Sequence, residues 1–255
     1  LRGLSDLDLK CESSSFIAND TLKTAGFDVS PKQSEPFENA IVFLPRAKGE
    51  AQNLIAKAVA QTPNGWIIVD GQKTDGIASL AKLIAQNVTI AGSYSKGHGK
   101  VIWFHASGAQ ALCAWRAEEP HQIKGEFVTA PGVFSADGVD PASAMLLEHI
   151  PTDLKGEVVD LGAGWGFLSS GVLMQSPGVN KLHLIEDNAT ALDCARHNVP
   201  DPRAVFHWND ALRWKPDVPV QTVIMNPPFH TSRNADPSIG IAFIKAAARM
   251  LKPSG

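Results

Sequence analysis

The chain reads as a doubly wound α/β protein of two tandem halves, the first of them degenerate. Three observations predict this. Short β-branched runs alternate with Ala-rich helical patterns in both halves. One strand-like run enters a glycine-rich turn, Gly162-Ala163-Gly164-Trp165-Gly166, that opens a helix. A segment of the first half also recurs in the second.

In the first half, strands are expected at Ala40–Leu44, Trp66–Asp70, Val88–Tyr94 and Val101–His105. Helical patterns at Glu50–Ala60 and Ile77–Gln86 separate the first three, which favours parallel pairing. Ser95-Lys96-Gly97-His98-Gly99 is short enough to make the last two an antiparallel hairpin. Ala114–Gly125, charged and polar around Pro120, reads as a linker. The expected domains are residues 1–113 and 127–255, joined by residues 114–126.

After Phe127–Val139, Asp140 fits an N-cap with Pro141 in the first turn of a helix over Pro141–His149. Glu157–Leu161 is a buried strand leading into the glycines, which are spaced G-x-G-x-G. That places the third glycine one residue earlier than the dinucleotide fingerprint does, so the turn alone fits either a nucleotide site or a structural corner. Lys181–Ile185 is the next strand, and Glu186 ends it 20 residues past Gly166, where an acid can accept ribose hydroxyls. A solvated strand-end acid is the alternative. Asp187 and Asn188 start a helix at Ala189–Asn198. Arg203–Trp208 is a third strand ending in Asn209-Asp210, placed to meet an adenine amine. Val220–Met225 is the fourth, and Ile239–Leu251 the helix behind it.

The fourth strand ends in Asn226-Pro227-Pro228-Phe229-His230. Two prolines stop it, since neither can donate a ladder hydrogen bond, and Asn226 before a proline is biased towards extended geometry. A carboxamide, one or two carbonyls and a ring are thus held at the carboxyl end of a strand, where ligands bind in open α/β sheets. Such a set suits a planar amine on a base or amide: acceptors take its N–H protons and Phe229 stacks on the ring. A proline-stopped strand before a polar loop is the plainer reading.

Ala40-Ile41-Val42-Phe43-Leu44-Pro45-Arg46 aligns with Thr222-Val223-Ile224-Met225-Asn226-Pro227-Pro228 at an offset of 182, which grows to 190 by Pro63 and Pro253. The eight extra residues fall most naturally in His230–Ser238. Leu44 stands where the second copy has Asn226, so the first half lacks the acceptor. The second copy stops at Gly255, short of the first copy's later strands, and the first half's glycine-rich strand would precede Leu1. Both halves are therefore expected to be incomplete in this chain.

Composition bounds the function. Hydrophobic content of 44% and charged content of 19% fit a folded globular chain. No apolar run approaches the roughly 20 residues that cross a bilayer, and the first residue, Leu1, opens no signal-peptide pattern. Cys11, Cys113 and Cys194 are odd in number and outside any C-x-x-C pair, so they read as reduced core thiols in a cytoplasmic protein without a metal site. Net charge is −3, with 13 basic and 13 acidic residues up to residue 130 and 10 and 13 after it. A nucleic-acid partner would need a local basic surface, for which Arg46/Lys48, Lys73 and Lys96/His98/Lys100 are candidates; solvated loop charges are the alternative.

Asp160-Leu161-Gly162-Ala163-Gly164-Trp165-Gly166 together with Asn226-Pro227-Pro228-Phe229 resembles the class I (Rossmann-like) S-adenosylmethionine-dependent methyltransferases that act on exocyclic or amide nitrogens. With Pro131–Asp140 and Asn226–His230 added, the chain resembles the bacterial small-subunit ribosomal RNA guanine-N2 methyltransferases (the RsmC type) and their large-subunit relatives, which pair a degenerate first domain with an active second one. The resemblance covers nearly the whole chain and is strongest over Phe127–Leu251. It implies methyl transfer to a guanine N2 amine of 16S ribosomal RNA, with S-adenosyl-L-methionine as cofactor. The implied partner is ribosomal RNA or the small subunit, bound by a monomer. Asp160, Gly162 and Gly164 would surround the methionine and ribose parts of the cofactor, Glu186 would bind the ribose and Asn209 or Asp210 the adenine, with Ala163, Gly166 and Asp187 also in the cofactor site. Phe134 and Ser135 would close over the donor, next to Asn226. Asn226 and the Pro227 carbonyl would accept the amine protons, Phe229 would stack, and Pro228, His230 and Arg233 would face the substrate. Methyl transfer to adenine N6 or a protein glutamine, or a non-catalytic RNA-binding assembly role, would use the same fold.

Overall fold

A computed structural model describes residues 7–117, 120–123, 127–228 and 237–253. In chain order the elements are β1 (Lys10–Glu12), α1 (Phe16–Thr24), β2 (Asp28–Ser30), β3 (Ala40–Phe43), α2 (Lys48–Gln61), β4 (Trp66–Gln72), α3 (Ile77–Ala85), β5 (Gly92–Lys96) and β6 (Gly99–His105). Short strands β7 (His121–Gln122) and β8 (Val128–Thr129) lie along the connection. Then follow α4 (Pro141–His149), β9 (Gly156–Leu161), α5 (Phe167–Gln175), β10 (Val179–Glu186), α6 (Ala189–Asn198), β11 (Ala204–Trp208), β12 (Thr222–Ile224) and α7 (Pro237–Met250).

The chain divides into two compact units. One runs from Ser34 to His121, with Ala130–Gly132. Its sheet has the order β3-β4-β6-β5, with β3 parallel to β4 and both β6 pairings antiparallel, as the hairpin reading requires. Alternation along β4 sends Ile67 and Val69 into a core shared with Ile55, Leu80 and Phe104.

The other unit holds the rest, including the residues up to Gln33. Its four strands run parallel in the order β11-β10-β9-β12. β9 is buried on both faces from Val158 to Leu161, which is why its apolar residues do not simply alternate with polar ones. Val158 packs with Leu182 and Leu184 against α5 and α6, while Val159 and Leu161 pack with Phe243, Ala246 and Met250 of α7. Helices on both faces make this sheet doubly wound.

Several expectations need correction. The strand expected from Val88 begins only at Gly92, because Asn87 N and Val88 N still donate to Ile84 O and the chain is leaving α3. The strand expected over Val220–Met225 is regular only over Thr222–Ile224. The start of the expected linker is a 3₁₀ turn over Gln110–Trp115. Only Cys194 is a buried thiol; Cys11 and Cys113 are half-buried. Finally, β1, α1 and β2 match no expected element, and they pack with the second half of the chain rather than with residues 34–121. Phe16 N donates to Asp187 O, Ala189 N to Ser14 O, and the Phe16 ring meets Trp208 edge-on at 5.4 Å.

Candidate active site

The site begins where β9 ends. Gly162, Gly164 and Gly166 all adopt left-handed backbone, with φ of 81°, 55° and 90°. Gly162 N and Ala163 N both donate to Ile185 O, at 2.9 and 3.0 Å, which ties the turn to the end of β10. At Gly166 a Cβ would stand 2.8 Å from Val199 Cγ2, so close packing against α6 as well as φ demands glycine there.

Glu186 braces this turn. Its carboxylate accepts from Gly164 N at 2.8 Å with one oxygen and from Asn188 N at 2.9 Å with the other. Burial raises its pKa, and the backbone donors work against that shift. Asp160 lies one layer deeper. It has no exposed surface, accepts from Ser169 Oγ at 2.6 Å, and its Oδ1 has no hydrogen-bond partner among the described residues. Desolvation, with a smaller push from the charge of Glu186, takes its pKa up to about 7. Asp160 therefore supports the turn from the core and does not line the cavity in front of it.

That cavity is a cleft open to solvent, with the glycine turn (Gly162, Ala163, Gly164) as one wall. Asn226, Asp140 and Ser143 form the other, and Phe134 and Ser135 sit at its rim. Phe134 is 63% exposed, and its carbonyl accepts from Trp165 Nε1 at 3.1 Å. Ser135 is the one non-glycine described with positive φ, 54°, held by its hydroxyl on Gly138 O at 2.7 Å.

Asn226 stands two residues past the end of β12, and its side chain is fixed by the N-terminal turn of α4 and its cap. Asp140 Oδ2 caps that helix by accepting from Ser143 N at 2.8 Å, and it also accepts from Asn226 Nδ2 at 3.0 Å. Asn226 Nδ2 reaches Ser143 Oγ at 2.8 Å as well. A carboxylate only accepts, so the amide nitrogen must face Asp140 and the amide oxygen must point away from the helix.

The remaining expected residues fall in several places. Asp187 turns its carboxylate to Ile17 N at 2.9 Å, serving α1 rather than the glycine turn. Asp210 accepts from Leu212 N at 2.8 Å in the turn after β11, and Asn209 N donates to Glu186 O at 3.0 Å, so both stand beside the end of β10. Pro227 is half-buried and Pro228 exposed. Phe229, His230 and Arg233 lie outside the described residues. The basic candidates Arg46, Lys48, Lys73, Lys96, His98 and Lys100 belong to the other unit.

The sequence reading named Asp140 only as a helix cap and passed over Ser143. The spacing Asp140-x-x-Ser143 signals that cap, but nothing local signals a contact 86 residues away. Also unforeseen was the packing of Trp165 with Phe127 and Phe167, ring centroids 5.2 and 5.8 Å apart, behind the turn. Among the described residues no group of three or more His, Cys, Asp or Glu side chains is placed to hold a metal ion. No described helix is long and apolar enough to cross a membrane.

A ribosomal RNA small subunit methyltransferase C from Alteromonas mediterranea is 29% identical to this chain over 95% of it, which spans 73% of that protein. The protein of the same name from Psychromonas ingrahamii is 30% identical over 86% of this chain, which spans 65% of its length. A solved T. thermophilus 16S rRNA N2 G1207 methyltransferase, in complex with AdoMet and guanosine, superposes with a TM-score of 0.78 at 22% identity, covering 99% of this chain and 73% of that one. That likeness establishes a shared fold. The family model for the N-terminal part of the methyltransferase small domain matches residues 12–112, and the model for the methyltransferase small domain itself matches residues 124–255, just over half of the chain. With its glycine turn and proline-locked asparagine facing one cavity, the chain belongs to the methyltransferase small domain family.

Proposed function

We propose that this protein transfers a methyl group from S-adenosyl-L-methionine to the exocyclic N2 amine of a guanine in 16S ribosomal RNA. The observation that carries the reading is that Asn226 and the Gly162–Gly164 turn line the same cavity, with the Asn226 amide nitrogen already occupied by α4. The carboxamide is thereby committed to act as an acceptor through Oδ1. The names of the relatives from Alteromonas and Psychromonas support the same substrate class.

The residues present fit the cofactor. Gly164 has no heavy atom within 4 Å of where a Cβ would stand, which leaves open space over the turn. Gly162, Ala163 and Gly164 would lie along its methionine and ribose, Glu186 would take the ribose hydroxyls, and Asn209 with Asp210 would meet the adenine. When bound, it supplies an electrophilic methyl group on a sulfonium. Phe134 and Ser135, at the cavity rim, would shield that side from water.

The protein's own task is set by the nucleophile. The lone pair of a guanine amine is delocalised into the ring and attacks poorly. Asn226 Oδ1 and the Pro227 carbonyl, fixed by the proline corner, would accept the two amine protons and aim the lone pair out of the ring plane. As the N–C bond forms and the methyl–sulfur bond breaks, positive charge developing on nitrogen meets dipoles that are already oriented, so little reorganisation is needed. The acidic product ammonium then releases its proton to water. A base paired within RNA must first be extruded, at a cost of a few kcal/mol. Stacking on Phe229, worth roughly 1–3 kcal/mol, offsets part of that. His230 and Arg233 would contact the RNA with Pro228. The protein acts as a single copy in the cytoplasm on ribosomal RNA or the small subunit.

The test is methylation of ribosomal RNA from cells lacking the protein, with the labelled nucleoside identified by mass. N2-methylguanosine is expected. Label on adenine, or on a protein glutamine, would replace the substrate assignment. Asn226→Ala should lower the transfer rate by roughly 10²–10³-fold or more while cofactor affinity stays within a few-fold. Full activity in that variant would remove Asn226 from the chemistry.

A further inference from the structure

Asn226 is a flexible side chain until something fixes it. Rotation about χ2 interconverts an acceptor and a donor facing the cavity, and only the acceptor can receive a hydrogen bond from an amine N–H. The proline corner fixes the backbone and leaves that rotation unsettled. The two groups that settle it stand at the start of α4, Asp140 as its cap and Ser143 in its first turn. Asp140 Oδ2 and Ser143 Oγ take the amide nitrogen at 3.0 and 2.8 Å, one for each of its two protons. Ser143 is only 8% exposed, so water does not readily substitute for its hydroxyl. Asp140 is itself immobilised, because the same oxygen caps α4 through Ser143 N at 2.8 Å.

We propose that Asp140 and Ser143 are positioning residues for methyl transfer, holding the Asn226 carboxamide with its oxygen towards the target amine. This rests on the acceptor role given to Asn226 above. The pair does two things. It removes the flipped rotamer, in which Nδ2 would face the substrate amine donor to donor. It also polarises the amide: a carboxylate drawing on an N–H shifts negative charge onto the carbonyl oxygen, and hydrogen bonds in such a chain strengthen one another. A more negative Oδ1 holds the amine proton better as the nitrogen becomes cationic. Neither residue needs to touch the substrate for this.

Substitutions separate positioning from folding. Asp140→Asn keeps an equally good helix cap, and Ser143→Ala removes one hydroxyl without changing the chain's path. In the full-length protein, each should lower kcat roughly 10–100-fold, the range found when a supporting partner of a working side chain is lost. The KM for unmethylated small-subunit RNA and the affinity for S-adenosylmethionine should stay within about three-fold of wild type, since both side chains are engaged by Asn226 although they border the cavity. A readout independent of activity is the Asn226 side-chain amide in protein labelled with ¹⁵N-asparagine and assigned by loss of the signal in Asn226→Ala. In wild type its two protons should exchange slowly and resonate well apart; in Ser143→Ala they should exchange fast and converge. Variants with kcat within two-fold of wild type, or an amide signal unchanged in both, would overturn the proposal. Protected amide protons in a wild-type protein that methylates no RNA would leave the anchoring in place and sink the acceptor role instead.

Discussion

Asp160 has no exposed surface, and one of its oxygens has no hydrogen-bond partner among the described residues. Its pKa of about 7 in the folded chain stands against an ordinary value of 3.8. Between those values the folded state holds a proton that the unfolded state has released. The contribution to stability is therefore full below about pH 3.8 and is lost as the pH rises through about 7. Asp160→Asn, which can still accept from Ser169, should lack that slope. Urea midpoints of the two proteins should diverge as the pH goes from 4 to 8, the variant gaining relative to wild type; parallel profiles would show that Asp160 ionises normally. At this scale the sequence was readable where a residue's role is local. Asp140 announces a helix cap by its spacing to Ser143, and Asn226 announces a fixed acceptor by the prolines after it. The hydrogen bond between them is a tertiary event with no periodicity to betray it. Asp187 is the converse case: next to Glu186 it is expected at the cofactor site, and its carboxylate accepts from Ile17 N at a helix start 170 residues earlier.

The β9–glycine turn–α5 element is the best-specified part of the chain. A strand buried on both faces, three glycines and a following helix all agree with one geometry. Gly166→Ala tests how tightly. The new Cβ meets Val199 Cγ2 at 2.8 Å and Ala195 Cβ at 3.3 Å, in a left-handed conformation that costs an ordinary residue roughly 1–2 kcal/mol by itself. The variant should lose at least that much stability by denaturant titration and bind the cofactor more weakly; an unchanged midpoint would show that the turn relaxes freely. The elements that escaped the sequence reading were weak in every local signal. β1 and β2 have three residues each, and α1 presents one buried residue, Asn19. Their order comes from long-range contacts instead: Trp208 Nε1 donates to Ser14 O and Asp187 O, and Lys32 pairs with Asp193.

At the scale of the molecule the repeat gains a topological meaning. Aligning β3 with β12, as the sequences do, makes the sheets β3-β4-β6-β5 and β11-β10-β9-β12 overlapping portions of one strand order. The first portion keeps the hairpin end, the second the glycine-turn end, and Leu44 stands in place of Asn226 where they overlap. Residues up to Gln33 break this tidy division by packing on the second unit. A chain beginning at Ser34 should accordingly show faster amide exchange in β10 and β11 while β3–β6 keep their protection. Equal protection in both sheets would mean that β1, α1 and β2 add nothing to the unit they cover. One more consequence follows from the bond that joins residues 140 and 226. A chain still emerging from the ribosome can acquire its glycine turn long before its asparagine has been synthesised. On the proposed reading, such a fragment would hold the nucleoside-containing cofactor while lacking the carboxamide that receives the target amine, so binding would precede catalytic competence during synthesis.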